Sequence, residues 1–206
     1  FADGITWSDA DIRARVITYG TAGNDGIVGD YDSTNRIFGL DGDDAIVGGS
    51  LNDLINGGSG NDQLYGEAGN DTLDAGAGAD TLTGGEGDDL IIGGTGNDTL
   101  YGGNSYSASG FSNDTYQFSK GDGQDIIKDY DTTNSDSDTV QFVDVNSTEL
   151  SGLNRVGFDL VLTYGTGDQL TIIDHFNPGA SSRIEQFKFA DGITWSDADI
   201  RARVIT

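Results

Sequence analysis

A nine-residue repeat rich in glycine and aspartate runs through the first half of the chain and limits what it can fold into. From Gly39 to Tyr101 the units read, without insertion, GLDGDDAIV, GGSLNDLIN, GGSGNDQLY, GEAGNDTLD, AGAGADTLT, GGEGDDLII and GGTGNDTLY. Position six is Asp and position eight is Ile or Leu in every one of them. A short period of this kind predicts a solenoid, in which each unit stacks on others like it.

Weaker copies of the unit flank this block. GTAGNDGIV begins at Gly20, and GDYDSTNRIF, a ten-residue copy, begins at Gly29. The ten-residue copy has no Asp aligned at position six, so either Asp30 or Asp32 substitutes there or no ion binds. After an insertion at 102–108, SGFSNDTYQ and KGDGQDIIK follow.

Each unit predicts a tight turn followed by a short strand. Glycines at positions one, two and four allow backbone with φ > 0 and a close approach of carbonyl groups to an ion. The last three residues suit a brief strand whose single apolar side chain points inward. Turn, strand, turn and strand then close one coil in 18 residues. The inward column is expected to contain Ile27, Ile37, Ile46, Ile55, Leu64, Leu73, Leu82, Ile91 and Leu100.

The charge pattern indicates a cation partner. The chain has 35 acidic and 10 basic residues, and no basic residue lies between Arg36 and Lys120. Negative charge of this density repels itself unless cations neutralise it, and it makes nucleic acid an unsuitable partner. Ca²⁺ accepts carboxylate and carbonyl oxygens in flexible geometry, whereas Mg²⁺ demands a stricter octahedron. Zn²⁺ would need His or Cys, and the chain has one His and no Cys. A metal-free β-solenoid is the alternative, but it gives no reason for an invariant Asp at position six.

The nonapeptides resemble those of the RTX, or haemolysin-type calcium-binding, repeat family. The resemblance implies an all-β fold, a right-handed parallel β-roll with several Ca²⁺ ions. Residues 112–131 are similar to the family's usual exit from the roll. Residues 155–195 resemble the β-rich domain that often follows it. The family also implies a secreted or cell-surface location and export by type I secretion machinery.

The same resemblance implies how the ions are held. Each ion would lie between two turns on one side of the roll, two units apart. The earlier turn would give the carbonyls of positions two and four and its Asp, and the later turn those of positions one and three and its Asp. Ala75 at position one and Leu51 at position four are expected to tolerate φ > 0 poorly.

The implied main-chain ligands are Thr21, Gly23, Gly39, Leu40, Asp41, Gly42, Gly48, Gly49, Ser50, Leu51, Gly57, Gly58, Ser59, Gly60, Gly66, Glu67, Ala68, Gly69, Ala75, Gly76, Ala77, Gly78, Gly84, Gly85, Glu86, Gly87, Gly93, Gly94, Thr95 and Gly96. The implied carboxylate ligands are Asp25, Asp44, Asp53, Asp62, Asp71, Asp80, Asp89 and Asp98. If the roll continues past the insertion, Asp114 and Asp125 join them.

A second, longer repeat bounds the chain. Residues 1–18, FADGITWSDADIRARVIT, recur letter for letter as residues 189–206. This predicts one unit of a tandem array with identical neighbours, although an artificial duplication would look the same. Ser8 is expected to cap a short helix that covers the roll, and its copy starts at Ser196. The predicted divisions are a boundary segment at 1–18, the roll at 19–130, a β-rich cap with a hairpin at 131–195, and the next helix at 196–206.

Two functions from different classes fit these features better than catalysis. The first is a structural module that folds on binding Ca²⁺ outside the cell, as one unit of a large secreted or surface repeat protein. The second is the C-terminal secretion and folding domain of an exoenzyme or toxin. No H-E-x-x-H or G-x-S-x-G is present, so no enzyme is expected, and the isolated His175 is interpreted as structural. No apolar stretch is long enough to span a membrane. Because the chain starts within the boundary motif, it is expected to be a piece of a longer protein.

Overall fold

Short β-strands make up nearly all of the regular structure in the computed structural model, which describes residues 16–103, 112–129, 136–178 and 183–204. The strands are β1 (Thr18–Tyr19), β2 (Gly26–Val28), β3 (Arg36–Asp41), β4 (Ala45–Gly49), β5 (Leu54–Ser59), β6 (Gln63–Ala68), β7 (Thr72–Gly78), β8 (Thr81–Glu86), β9 (Leu90–Gly96), β10 (Thr99–Tyr101), β11 (Thr115–Phe118), β12 (Gln124–Ile127), β13 (Thr139–Phe142), β14 (Gly152–Val156), β15 (Asp159–Tyr164), β16 (Asp168–Ile172), β17 (Gln186–Lys188) and β18 (Thr194–Ser196). One helix follows within the described residues, α1 (Asp197–Arg203).

From β1 to β13, consecutive strands alternate between two sheets. One sheet has the order β1-β3-β5-β7-β9-β11-β13-β17-β18, and the other has the order β14-β15-β16-β12-β10-β8-β6-β4-β2. Pairing is parallel from β1 to β17 in the first sheet and from β2 to β16 in the second. Each strand therefore pairs with the strand one coil away, which is the parallel β-roll that the repeat predicts.

The pairing register brings the apolar residues of position eight into two columns. Ile55 pairs with Leu73, and Leu64 pairs with Leu82. Every predicted column member except Ile27 is fully buried, and Ile27 lies half-buried in the first coil. Beyond the insertion the columns continue through Tyr116 and Ile127, which carry the parallel stack into the segment after residue 130.

Positive φ angles lie at positions two and four of the turns, not at position one. Gly58 and Gly60, for example, have φ of 117° and 132°. The expectation of a positive φ at position one was wrong, and neither Ala75 nor Leu51 adopts a positive φ. Most units have glycine at position one because space is short there, although Ala75 shows that one turn accommodates a Cβ. A Cβ atom at Gly57 would collide with the Oδ2 atom of the Asp in its own turn.

The C-terminal end of the roll is closed by antiparallel strands. The predicted hairpin is confirmed as β15 and β16, joined at 165–167, with β14 added on its outer edge. Phe142 stacks on Phe189 with ring centroids 5.4 Å apart and meets Tyr164 edge-on at 5.0 Å. This aromatic layer covers the last coil, so the parallel sheets do not end on an open apolar face at this end.

Helix α1 is the described copy of the boundary helix, and its predicted cap is confirmed. The Ser196 side chain accepts a hydrogen bond from the Asp199 N–H, and the Asp199 carboxylate accepts one from the Ser196 N–H. The buried His175 lies 3.0 Å from Asp197. Burial opposes ionisation, but hydrogen bonds from His175 and Arg201 lower the pKa of Asp197 to about 2. His175 thus joins the helix to the roll. The helix expected at Ser8 lies outside the described residues.

Two position-two residues adopt positive φ without being glycine, and this predicts a stabilising substitution. Leu40 and Glu67 have φ of 86° and 77°, a conformation that costs a residue with a Cβ about 1–2 kcal/mol. We expect Glu67→Gly to unfold with a free energy about 1 kcal/mol above that of Glu86→Gly. Glu86 is the matched control, because it is also an exposed turn glutamate but has no positive φ. Chemical denaturation in calcium measures the difference, and equal stabilities of the two variants would contradict the strain.

Candidate calcium sites

Position-six aspartates form two buried ladders, one on each side of the roll. The Asp44 column contains Asp44, Asp62, Asp80, Asp98 and Asp125. The Asp53 column contains Asp53, Asp71, Asp89 and Asp114. In both columns, each Oδ1 atom after the first accepts the backbone N–H of the Asp one coil earlier, at 2.7–3.0 Å. These hydrogen bonds fix every carboxylate in the same orientation along the stack.

The second oxygen of most of these carboxylates accepts no hydrogen bond from the described residues. These Oδ2 atoms are buried and belong to Asp44, Asp53, Asp62, Asp71, Asp80, Asp89, Asp98 and Asp125. An ionised oxygen buried without a partner costs several kcal/mol, so such a row is unstable unless a cation meets it. The residues present therefore fit a bound cation.

Main-chain carbonyl oxygens lie next to these Oδ2 atoms. A Cβ atom at Gly57 would meet both Asp62 Oδ2 and the carbonyl oxygen of Ala75, so these two oxygens border the same point. They are one of the oxygen pairs that the resemblance assigns to a single ion. A Cβ atom at Gly58 or Gly60 would likewise meet a carbonyl oxygen of the coil before it, at position two or position four. Carbonyl oxygens thus line each turn stack from both coils.

The donor set favours Ca²⁺. Among the described residues, no group of three or more Asp, Glu, His or Cys side chains converges on one point. An ion between two turns would therefore depend on carbonyl oxygens in addition to its carboxylates. Ca²⁺ suits an all-oxygen shell of this kind with flexible geometry.

Family comparisons agree with this geometry. Residues 47–82 and 74–105 match the RTX calcium-binding nonapeptide repeat. The chain thus contains RTX calcium-binding nonapeptide repeats. Residues 159–199 match the haemolysin-type calcium binding protein related domain, which covers the hairpin and the start of α1. The chain is accordingly a calcium-binding repeat module.

Comparison with whole proteins adds less. No curated protein matches the sequence. Among solved structures, the extracellular lipase LipA from Serratia marcescens is similar, with 20% identity and a TM-score of 0.37. That match covers 77% of this chain and 38% of the lipase, so the chain spans well under half of the lipase.

The RTX ladder extends beyond the residues that the repeat predicted. Asp114 donates its N–H to Asp138 Oδ1 at 2.8 Å, and Asp138 donates its N–H to Glu185 Oε2 at 2.9 Å. The insertions break the 18-residue spacing, which hid both acids. A weak signal is present, because Asp138 and Glu185 each stand two residues before a buried apolar residue of the column, as position six stands before position eight.

At the N-terminal end, two turns differ from those inside the roll. Asp25 Oδ2 accepts hydrogen bonds from the Thr21 N–H and hydroxyl at 2.6 and 2.9 Å. In the ten-residue copy, Asn35 takes position six, whereas Asp30 and Asp32 have exposed side chains. Of the two alternatives, substitution by Asp30 or Asp32 is therefore excluded, and the alternative that no ion binds at this turn stays a prediction. Asp114 and Asp125, by contrast, lie in the ladder as expected.

Burial also makes the aspartates compete for protons. Burial raises the pKa of Asp71 and Asp80 to about 7, although the ladder hydrogen bond lowers it in each case. Burial, with repulsion from neighbouring aspartates, raises the pKa of Asp89 and Asp125 to about 8. Near neutral pH, a proton and a calcium ion therefore compete for the same oxygens.

Replacing one ladder carboxylate should remove calcium from the roll. We expect Asp62→Asn to bind less calcium than the unmodified chain. Its free energy of unfolding should fall by about 2.7 kcal/mol per lost ion when free calcium is about 100-fold above the dissociation constant. Asp43→Asn is the matched control at exposed position five, where asparagine already stands in several units. Isothermal titration gives the stoichiometry, and equal values for both variants would reject the assignment of position six.

The raised pKa values predict an unusual pH dependence when calcium is absent. A raised folded-state pKa stabilises the fold at low pH and loses this effect as pH rises through that pKa. In EDTA, we therefore expect the folded fraction, measured by circular dichroism, to rise as pH falls from about 8 to about 5. Asp89→Asn should weaken this response, while Asp88→Asn, altered at the exposed neighbour, should keep it. A folded fraction that falls over this range would contradict the prediction.

Proposed function

We propose that the chain is a structural module that folds when Ca²⁺ binds outside the cell and forms one link of a tandem array. The observation that supports calcium-dependent folding is the double row of buried carboxylate oxygens that meet no hydrogen-bond donor in the described part of the chain. No lysine or arginine of the uninterrupted repeats can neutralise them, because the sequence has none between Arg36 and Lys120. Calcium bound between turns would supply the missing charge.

The proposed switch is the difference in calcium level across the cell envelope. Extracellular modules often bind Ca²⁺ with dissociation constants of about 10⁻⁴–10⁻³ M, above cytosolic levels and near external ones. An ion that binds only the folded chain stabilises it by mass action. A chain exported through type I secretion machinery would then remain unfolded inside and fold after release. Within the described residues, no helix has the length and apolar character to cross a membrane.

The boundary repeat supports the array. In residues 189–206, Ile200 is fully buried, and Trp195 packs on Phe189 with ring centroids 4.7 Å apart. Arg203 lies over the Trp195 ring at 4.4 Å. This copy therefore completes the end of the unit that precedes it. By identity of sequence, residues 1–18 would complete an earlier unit in the same way, and β1 would start the next roll without a linker.

The first coil presents apolar side chains that an adjoining unit could cover. Tyr19, Val28 and Tyr31 are 61%, 77% and 70% exposed. They lie at the end of the stack where β1 and β2 leave both sheets open. A preceding unit of identical sequence is the occupant that the boundary repeat supplies. A longer coding sequence with further copies supports the array, and a single roll behind a catalytic domain supports a secretion and folding domain instead.

A non-enzymatic role agrees with the use of the acidic residues. The buried aspartates at position six of the uninterrupted repeats all take part in the ladder, so stacking already accounts for their placement. His175 is used in packing against α1. The acids thus have a structural explanation.

Calcium removal tests the proposed switch directly. We expect circular dichroism at about pH 8 to show strand content and a high melting temperature in Ca²⁺, and a large loss of both in EDTA. Mg²⁺ should restore less, since it prefers six rigid ligands and keeps its water. Equal strand content and melting temperature in EDTA, Mg²⁺ and Ca²⁺ would reject calcium-dependent folding.

A further inference from the structure

The first turn of the Asp53 column carries an amide where all later turns carry a carboxylate. Asn35 donates its backbone N–H to Asp53 Oδ1 at 2.5 Å, as Asp53 donates to Asp71 at 2.7 Å. Ile37, two residues later, lies in the buried column opposite Ile55. The extra residue of the ten-residue copy is thus absorbed inside the turn, and Asn35 stands at position six.

The side chain of Asn35 points into its own turn. Its Nδ2 atom lies 3.1 Å from the Asp30 carbonyl oxygen, 2.9 Å from that of Ser33 and 2.9 Å from Asp53 Oδ1. Its Oδ1 atom accepts the Asp30 N–H at 2.8 Å. These contacts fix the amide orientation, because a flipped amide would face three oxygen acceptors with an oxygen of its own.

The three oxygens around Nδ2 match a set expected around an ion. With the extra residue counted inside the turn, Asp30 and Ser33 stand at positions two and four, which give the carbonyls of the earlier turn. Asp53 is the carboxylate of the later turn. We propose that the Asn35 amide replaces a calcium ion here and closes the first coil on this side without metal. This inference rests on the calcium binding proposed above. It adds that, on this side of the roll, the first turn binds no calcium.

Packing and charge support this replacement. A Cβ atom at Gly29 would lie 2.7 Å from Asn35 Nδ2, just as position-one glycines elsewhere lie against an aspartate oxygen. The amide therefore fills the space beside the turn. Among the described residues, Asp53 is the carboxylate that hydrogen-bonds to this amide, whose two uncharged N–H donors face the three oxygens.

The two oxygens of Asp53 then have separate roles. Oδ1 accepts hydrogen bonds from Asn35, while Oδ2 is buried beside Gly48 and the Gly66 carbonyl oxygen, facing the next coil. The first ion on this side would accordingly lie between the turns of Asp53 and Asp71. The first coil, held by the hydrogen bonds of Asn35, would keep its structure at calcium concentrations too low to fill the remaining sites.

Counting bound ions by native mass spectrometry tests this inference. In saturating Ca²⁺, Asn35→Asp should bind one ion more than the unmodified chain, because it restores the second carboxylate. Asn52→Asp is the matched control. It adds the same charge at exposed position five of the next turn in this column, where Asp43 shows that a carboxylate accepts the same backbone hydrogen bond. This control should leave the count unchanged.

Asn35→Ala supplies an independent readout. It should keep the ion count of the unmodified chain and lower the melting temperature in both Ca²⁺ and EDTA. Loss of an ion in Asn35→Ala, or no gain in a folded Asn35→Asp, would show that Asn35 is not a substitute for metal. If the unmodified chain binds no calcium, the proposed function fails as well. If it binds calcium but the Asp variant gains none, only this inference fails.

Discussion

Stacked carboxylates buried between turns are the constraint on which this structure depends. The hydrogen bonds from backbone N–H groups to Oδ1 hold each aspartate in register with the next coil. They leave Oδ2 pointing at carbonyl oxygens rather than at donors. Without a cation, the same arrangement that defines the coil also repels itself. Fold and calcium binding are therefore one property of this sequence, because the atoms that would hold the ion are the atoms that set the stacking.

The apolar core is thin and follows from this arrangement. Each unit buries one Ile or Leu between two sheets, and glycine-rich turns add little apolar surface. The larger aromatic residues are concentrated at the C-terminal end, around Phe142, where antiparallel strands and α1 close the stack. The module thus combines a roll of low apolar content with one conventionally packed end.

Much of the roll could be predicted from the sequence, because its period is strict. The invariant Asp and the Ile or Leu two residues later placed the ladder and the buried column correctly from Ile37 to Leu100. The reason for glycine at position one was not predictable, since it depends on the distance to an aspartate oxygen. Nor could residue type reveal that Leu40 and Glu67 take a left-handed conformation.

Predictions failed or stopped where the spacing changes. Asn35 was missed because the extra residue shifts the alignment, and an amide is not an obvious member of a carboxylate column. Asp138 and Glu185 were missed because insertions separate them from the repeats, although the three-dimensional stack restores their positions. A repeat period predicts the position of a ladder residue only where the sequence keeps that period. The ladder itself continues across insertions, because the chain returns to the roll after each of them.

The position of the two chain ends in this stack has a mechanical consequence. Strands β1 and β2 lie at one end of the sheets and β14 and β18 at the other, so a pull on the proposed array would act along the stacking direction. Such a force is perpendicular to the strands, so the hydrogen bonds between adjacent coils would break one coil at a time. Ions that bridge adjacent coils would resist this separation. The tensile strength of the array would then depend on the calcium concentration of the surrounding water.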